Sequence, residues 1–160
     1  MRIISESEEL FFAKLFIDQA VIEARRSSCF RSKCGSVIVD DKTIIGSGYN
    51  SAPRDVKLES CLKDSLPQNF KSDKTCCVHA EQRAIYDALA RNSERIQDSR
   101  LYFIRLDDEG EKKVSGDPYC TICSKSALDV GVGEFVLFKA EGICVYDTLE
   151  YNRLSFEFGK

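Results

Sequence analysis

The chain has 160 residues, of which 43% are hydrophobic and 31% are charged, and its formal net charge is −3. This composition is typical of one folded domain over residues 1–160; it excludes a disordered chain and argues against a protein that grips long stretches of nucleic acid. The sequence has neither a run of about eighteen apolar residues nor a basic and apolar leader, which predicts no membrane span and a cytoplasmic location.

The first half of the chain predicts a helix and then a β-hairpin. Apolar residues recur at helical spacing over residues 8–26. Two short β-branched runs, 35–39 and 43–49, predict paired strands around a turn at 40–42. Residues 50–77 are polar and lack periodicity, which predicts a long substrate or insert loop with at most a turn of helix.

The second half predicts alternating helices and strands. The expected elements are a helix at 79–91, a strand at 101–105, a charged loop at 107–117, a helix at 120–128, strands at 134–138 and 142–146, and a helix after Asp147. The link between the last two strands is too short for a crossover helix, so they are expected to be antiparallel. A short final strand at 156–158 stays open as an alternative to this arrangement of the last strands. The order predicts an α/β fold with a mixed five-stranded sheet.

One histidine and two cysteines open two of the predicted helices. His79 is the only histidine of the chain, and Cys120 and Cys123 stand three positions apart. Side chains at that spacing on a first helical turn point the same way, and the helix N-terminus favours their thiolates. Zinc takes four protein ligands in a structural site but three in a catalytic one, so this set leaves a position open. Glu81 lies two residues after His79, a position that suits a carboxylate whose role is to move protons between water and substrate.

Each half of this pattern has a simpler explanation by itself. A glutamate in a first helical turn complements the helix dipole, as Glu81 does in any case. A Cys-x-x-Cys pair also occurs in redox sites and as half of a structural zinc site. The two halves together, in this order and on these elements, favour a catalytic zinc site.

His79-Ala-Glu81 and Pro118-Tyr-Cys-Thr-Ile-Cys123 resemble the H-x-E and P-C-x-x-C signature of zinc-dependent deaminases. Four other segments are similar to the deoxycytidylate deaminase branch of the cytidine/deoxycytidylate deaminase superfamily. These segments are Ser28-Cys-Phe-Arg31, Cys34-Gly-Ser-Val-Ile-Val39, Gly48-Tyr-Asn-Ser-Ala-Pro53 and Val78-His-Ala-Glu-Gln-Arg-Ala-Ile85. Tyr119 replaces the usual proline, Ser51 a glycine and Arg83 a common asparagine. The resemblance runs from about residue 28 to 138, and 139–160 is a divergent tail.

The resemblance implies a three-layer α/β/α cytidine-deaminase-like fold and a hydrolytic reaction that releases ammonia. His79, Cys120 and Cys123 are then the ligands of Zn²⁺, a zinc-bound hydroxide attacks C4 of cytosine, and Glu81 is the proton shuttle.

The resemblance also implies substrate contacts. Asn50 is expected to hydrogen-bond the sugar or ring, the Ala80 amide to contact the pyrimidine carbonyl, and Tyr119 to line the pocket. Arg31 and Arg54 are candidates for a phosphate contact, although solvated surface arginines are commoner.

The resemblance implies that the partners are a small nucleotide or nucleoside and further copies of the chain. Phe11, Phe12 and Phe16 are expected in the core or at a subunit interface. The alternatives are a deaminase of a purine, a pterin or a free base, and a non-catalytic zinc-stabilised interaction module. The retained Glu81 and the open ligand position favour an enzyme.

Cys61, Cys76 and Cys77 lie in the predicted loop and are candidates for a second metal site, which the family resemblance suggests. Cys29 and Cys34 could join them. The chain has no spare histidine for such a site, and ordinary buried thiols are the alternative.

Overall fold

The computed structural model describes residues 1–67 and 76–159, so the part of the predicted loop at 68–75 lies outside the described residues. The helices are α1 (Ser7–Arg25), α2 (Ala80–Asn92), α3 (Thr121–Asp129) and α4 (Thr148–Glu157). The strands are β1 (Arg2–Ile3), β2 (Lys33–Asp40), β3 (Thr43–Tyr49), β4 (Arg100–Leu106), β5 (Lys112–Lys113), β6 (Glu134–Lys139) and β7 (Gly142–Asp147). None of the described helices is both long enough and apolar enough to span a bilayer.

The strands form one mixed sheet in the order β1-β7-β6-β4-β2-β3. The β4–β6 pair is parallel and every other neighbouring pair is antiparallel, so the predicted antiparallel arrangement of the last two strands, β6 and β7, is confirmed. The strand β5 adds to the end of β4, where Arg105 pairs with Lys113 beyond the last residue that β6 covers.

Helices cover both faces of this sheet, which makes three α/β/α layers. The side chains of alternate strand residues point to opposite faces. Val37 and Val39 of β2 pack with the buried residues of α1, whereas Ile38 packs with the buried alanines of α2. The core on the second face also contains Phe135 and Tyr151, whose rings stack with centroids 4.0 Å apart.

The prediction of five strands is wrong, because the sheet has seven strands in the part of the chain that the structure describes. The two additional strands, β1 and β5, have two residues each, and β5 lies in the predicted loop 107–117. A two-residue strand is too short to show alternation of apolar and polar residues in the sequence, and it forms only by pairing with a neighbouring strand. The alternative strand at 156–158 is also wrong: residues 156 and 157 end α4, whose first turn is capped by the Asp147 carboxylate accepting from the Leu149 and Glu150 amides.

Two glycines of β3 allow α2 to lie directly on the sheet. A Cβ atom at Gly48 would stand 2.5 Å from the Ala80 carbonyl oxygen and 2.5 Å from the Ala84 nitrogen. Gly46 faces the same helix one turn further on, where its Cβ would stand 2.4 Å from the Ala84 carbonyl oxygen. This close approach brings the first turn of α2 next to Asn50, the residue after β3.

Candidate active site

The first turns of α2 and α3 meet at one end of the sheet. His79 precedes α2, and its backbone N–H donates to Oε1 of Gln82 at 3.2 Å. Cys120 precedes α3, and its sulfur accepts from the backbone N–H of Cys123 at 3.4 Å. Each helix start is therefore fixed by a side chain of its own first turn, and the two starts carry His79, Cys120 and Cys123 together.

These three side chains form a compact triangle. The Nδ1 atom of His79 lies 3.2 Å from the sulfur of Cys123 and 3.4 Å from that of Cys120, and the two sulfurs are 3.3 Å apart. Zinc–sulfur bonds of about 2.3 Å and zinc–nitrogen bonds of about 2.0 Å give tetrahedral ligand–ligand distances of about 3.5–3.8 Å. A small expansion of the triangle therefore accommodates zinc, and this donor set is one that zinc prefers. Within the described ranges, no other group of three or more potential ligands is as compact.

The protonation states of the triangle also suit a metal. The hydrogen bond from Cys123 and the neighbouring His79 lower the pKa of Cys120 to about 4, so it is a thiolate at neutral pH. The same contact with Cys120, together with burial, raises the pKa of the Cys123 thiol. The hydrogen bond with Cys120 raises the pKa of His79. Metal binding to these donors would therefore release protons, because zinc takes thiolate and neutral imidazole ligands.

Glu81 lies beside this triangle with its side chain inside the protein. It is only 6% exposed. Burial raises the pKa of its carboxyl group above the usual value, against the opposing effect of His79. A raised pKa brings the carboxyl group closer to the pH at which it would have to exchange protons, which favours general acid–base catalysis.

A cavity of about 380 Å³ opens onto Glu81 and His79. Its walls come from the loop before β2, the ends of β2, β3 and β4, the loop before α2 and the start of α3. They contain Cys29, Arg31, Ser32, Cys34, Asn50, Cys61, Lys63, Cys76, Cys77, His79, Ala80, Glu81, Phe103, Arg105, Tyr119, Cys120, Thr121 and Ile122. This volume is in the range of small-molecule sites.

Asn50 lines the cavity, but most of its amide is already engaged. Its Oδ1 atom accepts from the Cys34 backbone N–H and from the Ser27 hydroxyl, each at 2.7 Å, and its Nδ2 donates to the Ser32 carbonyl at 2.8 Å. A primary amide has two N–H donors. One N–H of Asn50 is therefore left for a substrate.

The other two predicted substrate contacts also border the cavity. Ala80 is fully buried and opens α2, where the first amides of a helix lack partners within the helix. Tyr119 is 65% exposed at the rim, and its ring meets that of Phe158 edge to face at 5.0 Å. The divergent tail thus reaches the rim of the cavity.

The three loop cysteines that were considered for a second metal lie on the cavity wall. The sulfur of Cys76 is 3.9 Å from that of Cys61 and 3.8 Å from that of Cys77. Cys29 interacts with Cys77, while Cys34 lies on β2 and contacts Ser32. The structure thus gathers Cys29, but not Cys34, with the predicted three.

The two arginines that are candidates for a phosphate contact lie in different places on the surface. Arg31 lines the cavity, whereas Arg54 lines a different, more open depression beside Arg83. Arg105 also lines the cavity, and sequence reasoning missed it. It pairs with Cys34 across β2 and β4, so its side chain shares the cavity face of the sheet. The alternation of side chains along β4 could have predicted this, because Arg105 lies between Ile104 and Leu106, which both point into the core on the opposite face.

Residues 12–139 match the family model described as the cytidine and deoxycytidylate deaminase zinc-binding region. The match covers most of the chain and contains the whole metal triangle and Glu81. The chain therefore belongs to this family, whose defining region binds zinc, and His79, Cys120 and Cys123 form the group that could bind it.

Curated relatives agree with this family. The chain is 30% identical over 127 residues to the deoxycytidylate deaminase of Saccharomyces cerevisiae, a match that covers 76% of this chain and 35% of the yeast protein. It is 38% identical over 78 residues to the deoxycytidylate deaminase of Mycobacterium phage D29, covering 44% of this chain and 61% of the phage protein. The chain thus spans about a third of the length of the yeast relative.

A solved structure has the same fold. The dCMP deaminase of cyanophage S-TIM5 in its apo form superposes with a TM-score of 0.57 at 23% identity, and the match covers 82% of each chain. The predicted α/β class and the deaminase-like fold are confirmed.

Proposed function

We propose that the chain is a zinc-dependent hydrolytic deaminase of a cytosine nucleotide, with dCMP as the expected substrate. The observation that carries this proposal is the metal triangle of His79, Cys120 and Cys123 beside a buried Glu81 at the base of a cavity. Three protein ligands are the number that catalytic zinc sites supply. The deoxycytidylate deaminase activity named for the yeast and phage relatives supports the substrate.

The residues of the chain then have distinct tasks. Zinc supplies a Lewis acid that makes water a nucleophile near neutral pH. Glu81 would carry one proton of the attacking water to the ring nitrogen N3. It would then carry the second proton, from the hydroxyl group formed on C4, to the amine, so that the C4–N bond breaks and ammonia leaves. The free N–H of Asn50 and the amide of Ala80 hold the sugar and ring so that C4 faces Glu81.

Two arginines support a phosphorylated substrate over a nucleoside. Arg31 and Arg105 both line the cavity. Arg31 is paired with the exposed Asp64, and Arg105 lies next to Cys34. Guanidinium groups bind phosphate oxygens through paired hydrogen bonds, so a 5′-phosphate has donors to meet at this end of the cavity.

A second metal at Cys61, Cys76 and Cys77, joined by Cys29, stays a prediction. The sulfur–sulfur distances of 3.9 and 3.8 Å support it, because four thiolates around zinc stand about 3.8 Å apart. The group as a whole is wider than the triangle at His79. Metal binding would therefore have to draw it together.

Self-association is a further part of the proposal. Of the three phenylalanines at the start of α1, Phe16 is in the core and Phe12 packs against it, whereas Phe11 is 64% exposed. Leu15 and Ile22 are exposed on the same helix. Such apolar side chains support an interface between copies, and sedimentation equilibrium would give a mass above that of one chain.

The test is ammonia release from the zinc-loaded protein. The panel contains cytosine, cytidine, deoxycytidine, their mono- and triphosphates, aminated purines and pterins. We expect turnover to be fastest with dCMP and to fall by about 10²–10⁴-fold in Glu81→Gln, which keeps the shape of the side chain but cannot move a proton. The zinc content of the variant should equal that of the parent protein.

Other results distinguish the alternatives. Turnover of a purine or pterin alone would identify another heterocycle as the substrate. No turnover of any compound, with zinc bound, would contradict an enzyme and favour the interaction module.

A further inference from the structure

The chain makes an unusual turn directly after Asn50. Arg54 and Asp55 are consecutive residues with φ of 56° each, in the left-handed region that side chains other than glycine avoid. Such residues cost about 1–2 kcal/mol each and persist only where the surroundings hold them. Backbone bonds within the turn, from Asp55 N–H to the Ala52 carbonyl at 3.0 Å and from Val56 N–H to the Pro53 carbonyl at 3.3 Å, are too few to do so alone.

Arg83 is the fourth residue of α2, and its guanidinium group contacts several polar groups of the chain turn that follows Asn50. Its Nη2 atom donates to the Ala52 carbonyl at 2.8 Å and lies 3.3 Å from the Asp55 carboxylate. The same guanidinium group stands 5.3 Å from the centre of the Tyr49 ring, which Arg26 approaches at 4.5 Å. A planar cation with several donors is suited to such a combination of carbonyl, carboxylate and ring.

Both chain neighbours of Asn50 depend on this arrangement. Tyr49 is held by its ring contact with Arg83 and by its hydroxyl, which donates to Asp55 at 2.9 Å. The Ser51 hydroxyl donates to the other oxygen of the same carboxylate. The Ser51 carbonyl in turn accepts from the Val78 N–H at 2.9 Å, one residue before His79.

We propose that Arg83 is a positioning residue, which holds Asn50 at the cavity by fixing the residues on either side of it. The Asn50 side chain is braced separately by Ser27, Ser32 and Cys34 from the direction of β2. Arg83 supplies the opposing restraint from α2, the helix whose first turn contains Glu81. Arg83 thereby contributes to the distance between Asn50 and Glu81. The inference rests on the proposed function for its effect on turnover, but not for its effect on the turn.

The first experiment is hydrogen exchange on the ligand-free protein. In Arg83→Gln, the amides of Asp55, Val56 and Val78 are expected to exchange about tenfold faster than in the parent, because their segment loses its anchor. Arg83→Lys keeps a cation near Asp55 and should restore part of the protection. Arg91→Gln is the matched control, since Arg91 lies on the same helix and pairs with Asp87.

The second experiment separates positioning from stability. With dCMP, Arg83→Gln should raise KM by about tenfold while kcat changes by less than about threefold, because Asn50 binds substrate and does not transfer protons. Zinc content should not change. Arg91→Gln should leave both constants near their parent values.

Two results would overturn the inference. One is unchanged exchange of the three amides in Arg83→Gln; the other is an unchanged KM in a variant whose only defect is a lower melting temperature. If Arg83→Gln does not fold, Asp55→Asn is measured instead, and the same amides must exchange faster. A parent protein without turnover would contradict the proposed function, whereas the exchange result would still decide the role of Arg83.

Discussion

At the scale of single residues, the proposed function divides the polar groups of the cavity between the reaction and the recognition of substrate. Glu81 is buried next to the metal triangle, and its raised pKa suits proton transfer. Arg105 is exposed on the same face of the sheet as Cys34 and lines the cavity. A phosphate group is not among the reacting atoms, so under the proposed function its contact with Arg105 would affect binding more than chemistry.

Replacement of Arg105 by glutamine therefore tests recognition. We expect KM for dCMP to rise by about tenfold and KM for deoxycytidine to stay within about twofold, because only the nucleotide carries a phosphate. Steady-state ammonia release measures both. Arg153→Gln is the control, since Arg153 pairs with Glu157 on the surface of α4. Equal losses for nucleotide and nucleoside would mean that Arg105 does not contact phosphate.

At the scale of elements, the contact between β3 and α2 sets the geometry of the site. Gly46 and Gly48 face the helix, and the backbone of the helix occupies the space that their side chains would need. Because Asn50 directly follows β3 and His79 directly precedes α2, a shift between these two elements moves one wall of the cavity relative to the other.

We expect Gly48→Ala to lower the free energy of unfolding by about 1–3 kcal/mol, the usual cost of forcing atoms into a packed contact. Chemical denaturation followed by circular dichroism measures this. Gly116→Ala is the matched control, because a Cβ at Gly116 would meet nothing within 4 Å. Gly48→Ala should also reduce turnover under conditions in which it remains folded. Equal stabilities of the two variants would contradict the close packing of α2 on β3.

At the scale of the whole molecule, helices cover both faces of the sheet and the metal site joins α2 to α3. A ligand that binds only the folded state stabilises it, by about 4 kcal/mol when its concentration is a thousand times its dissociation constant. Zinc held by His79 and Cys123 in the proposed site would link residues 44 positions apart, so it would restrain the second face of the sheet as well as serve the proposed reaction.

Removal of metal should therefore lower the melting temperature, and added zinc should restore it. Calorimetry with and without a chelator measures this change, and elemental analysis counts the zinc. We expect about one zinc per chain if only the triangle at His79 binds, and about two if the loop cysteines also bind. In the second case Cys61→Ser should remove one zinc and leave Glu81-dependent turnover. A melting temperature that does not respond to chelation would contradict a zinc site in the fold.

The amino-acid sequence by itself determined the elements that carry a periodic pattern. The hairpin of β2 and β3, the helix that starts after His79 and the last antiparallel pair follow from alternation, helical spacing and link length. The candidate metal ligands could also be predicted, because each lies at the start of a helix, either directly before its first turn or within it, where the local sequence fixes its direction. These features depend on residues close together in the chain.

Tertiary structure alone decided the rest. The strands β1 and β5 exist only through pairing with β7 and β4. Arg105 reaches the cavity because β4 lies between β2 and β6, and Arg83 meets Asp55 because two glycines let α2 approach β3. Contacts of this kind join residues that are distant in the chain, and their partners are specified by packing rather than by any local pattern.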